Sequence, residues 1–588
     1  MKKTIIFLAA LSIIGSINAK ELKSPDRTIS VTVTDTTILV SKNGHAVQTI
    51  FVDMPGKKQS RIRRHHKERY EMSSGKRRLC MNMSNDCTYI SGSDTLVIKA
   101  FNDGVAYRIS ANGSSAIPRQ EFIIPDGTRR WMQTLKTDYE GFYPMSTQGH
   151  GGSIGYPALI QYDDRLFGLI AESDVSHGQS GSHLDWNVGR SSYSVTDTGN
   201  PESHMTPWRV LVLGSLSTIV ESTLVTDLAH PSMIEDTSWI KPGVSAWIYW
   251  AYNHSSKDFE KVREYIDLAA EMHWPYNLID WEWDVMSNGG DIEDALEYAA
   301  GKDVKANLWY NSGTSWIGNG APGPQDRLIT SEAREKEMTR LEKLGATGIK
   351  VDFFLPDGPD MIDYYLDILS DAARHHLLVD FHGCTVPRGW SRTWPNLMSM
   401  EAVYGAEWYN NNRRMTNAAP QHNATLPFTR NVIGPMDYTP CTFTDSQNPH
   451  ITTDCHELAL PILFESGLQH MADRPESYLN LPKQVKDLLQ ELPAAWDDTR
   501  LLAGYPGEFA VIARKSNGIW YIAGINGTDK PMKITPDYSR IGGLKKKEIT
   551  LFTDNGDKPG KGFNISSDAS SALAIECPAA GGFVMTVR

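Results

Sequence analysis

From Lys241 to about residue 490 the chain alternates two periodicities. The apolar runs "VSAWIYW", "YNLIDWE", "KANLWYN" and "TGIKVDFF" are each followed by a stretch of helical spacing: "SKDFEKVREYIDLAAEMH", "DIEDALEYAAGK", "SEAREKEMTRLEKLG" and "PDMIDYYLDILSDAARHH". Near-continuous apolar strands alternating with helices satisfy both sheet faces only when the strands are parallel and covered on each side. A fifth strand, "LLVDFHG", and less regular units at "PNLMSMEA", "RNVIGPMDY" and "LQHMAD" complete about eight repeats. This predicts a (β/α)8 barrel over 240–495. Ser255 or Ser256 is expected to cap its first helix.

A chain of 588 residues exceeds what one core can organise. Residues 20–239 read as short strands between Gly, Asn and Asp turns, and 496–588 do the same. The expected fold is therefore multidomain: a central (β/α)8 barrel flanked by an N-terminal β-sandwich and a small C-terminal β-sandwich. Within the first flank, 57–78 ("KKQSRIRRHHKERYEMSSGKRR") is strongly basic. A solvated loop between strands is expected there, with a nucleic-acid arm as the other reading. Residues 1–19 place two lysines before an apolar run and small residues before Ala19. That is the pattern of a secretory signal peptide, so export to the periplasm or medium is expected. No later run reaches spanning length.

The net charge of −12 argues against nucleic acid or an anionic membrane as a partner of the whole chain. The six cysteines form no CxxC pair. Their spacing argues against zinc and leaves bridges such as Cys80–Cys87 or Cys441–Cys455 open.

Barrel enzymes carry their chemistry at the C-terminal strand ends. Here those ends and the loops after them offer Trp250, Asp280, Trp281, Glu282, Asp284, Trp309, Tyr310, Asn311, Asp352, His382, Glu401, Glu407, Trp408 and Asp437. The ring is acidic and aromatic, with no Ser–His–Asp order, phosphate loop or HExxH. Carboxylates between aromatic platforms suit glycoside hydrolysis. Periodicity alone leaves Asp352 as a solvated strand end, a partner of Lys350, or the reacting group. It leaves the "DWEWD" carboxylates as catalytic groups or a loop ion-pair cluster. Glu401 and Glu407, six residues apart around Gly405, suit a hard cation.

At "GIKVDFF", "PNLMSMEAVYGAEW", "RNVIGPMDYTP" and "HELALPILFESGLQHMAD" the chain resembles glycoside hydrolase family 97, over nearly its whole mature length. The resemblance implies exported α-glycosidases with an active-site calcium ion held by carboxylates of barrel and sandwich. It also implies two branches. In the inverting branch a glutamate follows the histidine that ends strand five; here that position is Gly383. In the retaining branch an aspartate ending strand four is the nucleophile; here it is Asp352. By the same resemblance Glu407 is the general acid/base, and Glu172, Glu401 and Glu407 bind the metal. Lys350 and His382 contact substrate. Asp280, Trp281, Trp309 and Asn311, from the strand-end ring, are expected beside them. Cys441 stands where glycine is expected after "DYTP", with an effect on the pocket rim.

The expected activity is a retaining exo-α-galactosidase acting on oligosaccharides with a terminal α-galactosyl residue, as a monomer or weak oligomer. β-L-Arabinopyranosides share the ring stereochemistry and lack only the hydroxymethyl group; α-glucosides come third. A non-catalytic sugar-binding protein is the reading from another class.

Overall fold

A computed structural model describes residues 21–588, apart from 113–115, 150, 253–254, 319, 556–559 and 569–572, and apart from the side chains of 59–63. The leader expected at 1–19 lies outside the described residues.

Strands from Leu22–Lys23 to Trp208–Gly214 join one extended antiparallel sheet of 16 strands that folds over itself as the N-terminal sandwich. The basic stretch is not a loop. Lys58–Glu71 is a 14-residue strand paired with Leu79–Ser91. It lies at the sheet edge, where charged side chains discourage pairing with other chains. From 65 to 71 half-buried positions alternate with exposed ones. Glu68 and Tyr70 use the inward positions to hold Arg392 of the barrel, the guanidinium lying 3.9 Å over the Tyr70 ring.

The barrel strands are β1 (Gly243–Trp247), β2 (Tyr276–Ile279), β3 (Lys305–Asn311), β4 (Gly348–Asp352), β5 (Leu378–Phe381), β6 (Leu397–Met400) and β7 (Leu468–Met471). They are parallel in the order β6-β5-β4-β3-β2-β1-β7. Between them run α1 (Phe259–Glu271), α2 (Ile292–Gly301), α3 (Ser331–Leu344) and α4 (Pro359–Arg374); α5 (Arg413–Asn423) and α6 (Asp454–Leu463) follow β6. The cap of α1 is Asp258, whose carboxylate accepts from the amides of Glu260 and Lys261, rather than either serine. Asp291 and Asp294 form a capping box on α2.

Among the described residues seven barrel strands form where eight units were expected. "RNVIGPMDY" does not become a strand. It crosses the gap between β6 and β7 as a coil, with the Asp437 amide donating to Met400 O and the Met436 amide to Glu465 O. Gly434 and Pro435 break its regularity, and proline has no amide to give a ladder.

The C-terminal part, from Asp498 to Val587, is a six-stranded antiparallel sheet with a two-stranded companion and its own apolar core. It leans on α6, where Gly582 approaches too closely for a side chain: a Cβ there would lie 2.6 Å from His456 Cα. All six cysteines are buried and unbridged. Cys80 and Cys87 lie on one strand seven residues apart, about 23 Å along an extended chain, which no disulfide spans.

Candidate active site

Lys350 and Asp352 are two apart on β4 and therefore share its inward face. Asp352 ends the strand, buried, with the Trp309 indole N–H of β3 donating to its Oδ2 at 3.1 Å. The next residue, Phe353, takes φ +69, and Ala402 after Glu401 takes φ +38. Left-handed backbone at non-glycine residues is held by its surroundings and clusters at functional sites. Burial pushes the Asp352 carboxyl above its ordinary range, opposed by Lys350, His382 and the Trp309 hydrogen bond and reinforced by Glu407.

Lys350 is not the ion-pair partner of Asp352. Its Nζ lies 3.4 Å from Asp280 Oδ2 and 4.0 Å above the Trp247 ring. Burial works against this ammonium, but Asp280, Glu407, Asp352 and Asp380 raise its pKa and keep it charged. The other Asp280 oxygen accepts from the Trp281 amide at 2.8 Å. Asp280 thus positions the lysine. The Asn311 amide donates to Pro322 O at 2.6 Å and to Pro324 O at 3.1 Å, while its Oδ1 is buried without a hydrogen-bond partner. Asp280 and Asn311 thus both carry supporting contacts beside the expected substrate-contacting role. Trp281 is half-buried, edge-on to Trp309 with centroids 5.8 Å apart, and lines a hollow of about 800 Å³. Glu282 pairs with Lys257 at 2.7 Å and Asp284 with Arg327 at 3.7 Å, so two of the "DWEWD" carboxylates form loop ion pairs.

Glu401, Glu407 and His382 offer ligand atoms within 4.8 Å of one another. His382 Nδ1 is 3.4 Å from Glu401 and 3.6 Å from Glu407, while its Nε2 is 2.7 Å from Asp437. Burial and Lys350 oppose protonation of this imidazole, but Glu401 and Asp380 outweigh them and its pKa is raised. Asp437 also takes His470 Nδ1 at 2.6 Å. Glu401 accepts the Gly383 amide at 2.7 Å. Its carboxyl is pushed up to about 8, by burial first and then by Glu407 and Asp352. Glu407 opens the short helix Trp408–Asn411, and its side chain keeps 17 % of its surface exposed.

Glu172 is not at this cluster. One of its oxygens is 2.7 Å from Arg388 and the other 2.7 Å from Arg209 and 2.8 Å from the Ser182 hydroxyl. Two guanidiniums already neutralise the carboxylate and leave no lone pair directed at a cation. The sandwich glutamate on that side is Glu140, in "TDYEGFYP", which meets Trp408 next to Glu407. It is buried and accepts from the Trp408 indole. Its carboxyl is raised well above the ordinary range, by burial first and then by Glu401, with Asp138 and Glu407 adding to it. Sequence reasoning missed it because its burial depends on a barrel loop more than 260 residues away. Asp380 and His470 were missed too, although Asp380 lies two before His382 and so shares its face.

Gly383 takes φ +47, and a Cβ built on it would lie 3.0 Å from Asp352 Oδ1 and 3.0 Å from the Phe353 amide nitrogen. A side chain at 383 and the Asp352 carboxylate therefore compete for one volume. Cys441 also has positive φ, +70, which explains the preference for glycine there, and its side chain is buried.

Comparison with known proteins identifies the family. Residues 22–231 match the glycosyl-hydrolase 97 N-terminal domain, 240–403 match glycoside hydrolase 97, and 495–588 match the glycosyl-hydrolase 97 C-terminal, oligomerisation domain. The chain is 38% identical over 489 residues to a probable retaining alpha-galactosidase of Streptomyces bingchenggensis, covering 79% of this chain and 74% of that one. It is 28% identical to a retaining alpha-galactosidase of Bacteroides thetaiotaomicron, over 83% of this chain and 82% of the other. Its fold superposes on the crystal structure of a beta-arabinopyranosidase with a TM-score of 0.87 at 26% identity, covering 96% of this chain and all of that one. With three domains matched in order and a relative this similar along most of its length, the chain belongs to glycoside hydrolase family 97 and is a glycosidase.

Proposed function

We propose that this enzyme is an exported, calcium-dependent, retaining exo-α-galactosidase. The observation that carries retention is the volume shared by Gly383 and Asp352. With no side chain at 383, the buried carboxylate at the end of β4 is the group left to attack. Asp352 Oδ bonds to the anomeric carbon as the glycosidic bond breaks, and Glu407 gives its proton to the departing oxygen. This forms a glycosyl ester of inverted configuration. Glu407 then takes a proton from water, which attacks the anomeric carbon and releases Asp352. The second inversion restores the original anomer.

Trp309 holds the attacking carboxylate, and Lys350, fixed by Asp280, favours its anion. Water is kept from Asp352 by its burial under Phe353 and Trp309. Glu140, Glu401 and Glu407 are hard oxygen donors, and burial together with neighbouring carboxylates raises the pKa of the first two. A hard divalent cation would let them ionise together, so the residues fit calcium. When bound, the ion supplies positive charge and a fixed anchor for sugar hydroxyls.

β-L-Arabinopyranosidase is the second reading, favoured by the likeness to the beta-arabinopyranosidase structure. A pocket that accommodates an axial 4-hydroxyl rejects a missing hydroxymethyl group only weakly, by about 10- to 200-fold. Proton NMR of p-nitrophenyl α-galactoside turnover tests the mechanism: α-galactose is expected first, and β-galactose would overturn retention. A matched panel of arabinopyranoside and glucoside, with and without EDTA, ranks the sugars and tests the cation.

A further inference from the structure

In double displacement the proton donor stands on the leaving-group side of the sugar ring, opposite the nucleophile. The leaving group therefore departs past Glu407. Next to it, Trp408 lines a cavity of about 980 Å³ that no part of the mechanism has yet used. Three regions wall it: 129–145 of the sandwich, the barrel loop and helix α5 after β6, and 505–508 of the C-terminal part. Trp408 and Tyr404 stack with centroids 4.8 Å apart and planes 17° apart, giving a flat aromatic surface. Across the cavity Trp131 meets Tyr505 edge-on at 5.8 Å. The Tyr505 hydroxyl is fixed by Arg129 at 3.0 Å and Gln161 at 2.8 Å. Glu140 lies in the cavity wall and accepts from the indole of Trp408, the residue after Glu407, which places the cavity beside the acid/base.

The volume is at the upper end of the range of about 300–1,000 Å³ for small-molecule sites, enough for more than one sugar ring. Exposed Arg414 and Gln421 supply donors for hydroxyls. The hollow at Trp281 is on the wrong side for a leaving group, because Trp281 packs on Trp309, which holds the nucleophile.

We propose that the three-region cavity beside Trp408 is the leaving-group site, receiving the oligosaccharide chain on the reducing side of the scissile bond. The C-terminal part of the chain, through Tyr505, thereby takes part in substrate recognition. This deepens the proposed function and rests on it. The test compares kcat/KM for an α-galactosyl trisaccharide or tetrasaccharide with that for p-nitrophenyl α-galactoside. Ala418→Trp fills the cavity from α5; Arg414→Ala removes an exposed donor without disturbing the core. The oligosaccharide-to-aryl ratio is expected to fall at least tenfold in the first and about threefold in the second. A ratio within twofold of wild type in both overturns the leaving-group site while leaving the glycosidase reading intact. Failure of the wild type to cleave any aryl glycoside overturns the reading beneath it, and the proposal with it.

Discussion

At Gly383 the absent side chain is a chemical determinant. Gly383→Ala would set a methyl 3.0 Å from Asp352 Oδ1 in a backbone conformation alanine tolerates poorly. Displacing the nucleophile by a fraction of an ångström is expected to lower kcat about 10²-fold, measured on the aryl galactoside. Asp352→Asn is expected to lose at least ~10³-fold in kcat. Azide should restore turnover as the glycosyl azide of the opposite anomer; near-normal activity without azide sinks the assignment. At this scale the sequence was informative in the period-two spacing of Lys350 with Asp352; the same spacing relates Asp380 to His382, but Asp380 was missed. It was silent on what each inward group faces. Lys350 turned to Asp280 because packing against Trp247 sets its direction, and nothing local in the sequence encodes that contact.

Elements were legible in proportion to their regularity. β1 to β5 and α1 to α4 formed where two clean periods alternated. The seventh unit did not, because Gly434 and Pro435 interrupt it and its amides bond across to Met400 and Glu465. The long basic strand was missed because charge at a sheet edge resembles loop composition. The same scale explains Glu172. It lies on a central sandwich strand between Arg209, on a neighbouring strand, and Arg388, after β5. Glu172→Gln leaves two buried guanidiniums undercompensated and is expected to cost about 3–5 kcal/mol, read as a lower denaturant midpoint. Its calcium-dependent rise in Tm should persist. Glu140→Gln is expected to show the reverse: little change in the metal-free midpoint and loss of the rise in Tm with millimolar calcium. A calcium response abolished by Glu172→Gln but retained in Glu140→Gln would reverse the two roles.

The whole molecule is held by contacts that join its parts. Lys76 of the sandwich donates to Val220 O, Ser222 O and Val432 O, the last in the barrel coil, and Thr499 of the C-terminal sheet donates back to Lys76 O. Such ties are invisible in sequence, since they pair residues hundreds of positions apart, although the order of sandwich, barrel and sandwich was readable from pattern. Global stability also carries a pH signature. Burial lowers His422 to about 4 and His456 to about 3; His456 Nε2 meets the Asn423 amide at 3.0 Å, a contact suited to the neutral ring. The unfolded chain binds these protons near 6.5 and the folded chain only below those values. Stability is therefore complete above about 6.5 and falls as acid is added, by about 3 kcal/mol for His422 once pH 4 is passed. Asp227, raised to about 7 chiefly by burial, acts in the opposite sense between about 4 and 7. His422→Gln retains a donor for Tyr404 O and leaves Asp227 in place, so its midpoint should fall less steeply than that of wild type between pH 6.5 and 4. Parallel curves would exclude His422 as a source of the slope.

The coil between β6 and β7 has a kinetic consequence. A closed barrel opens only by breaking a full ladder, whereas this seam is joined by scattered bonds such as Met436 N to Glu465 O, Asp437 N to Met400 O and Gly467 N to Met398 O. Sub-global opening should begin there, so these amides should exchange with deuterium before those of β3 and β4. Asp437 and His470 flank the seam, and both sit in the hydrogen-bond chain behind His382. Each transient opening would therefore loosen the histidine facing Glu407, linking the frequency of barrel breathing to the lifetime of the assembled acid/base.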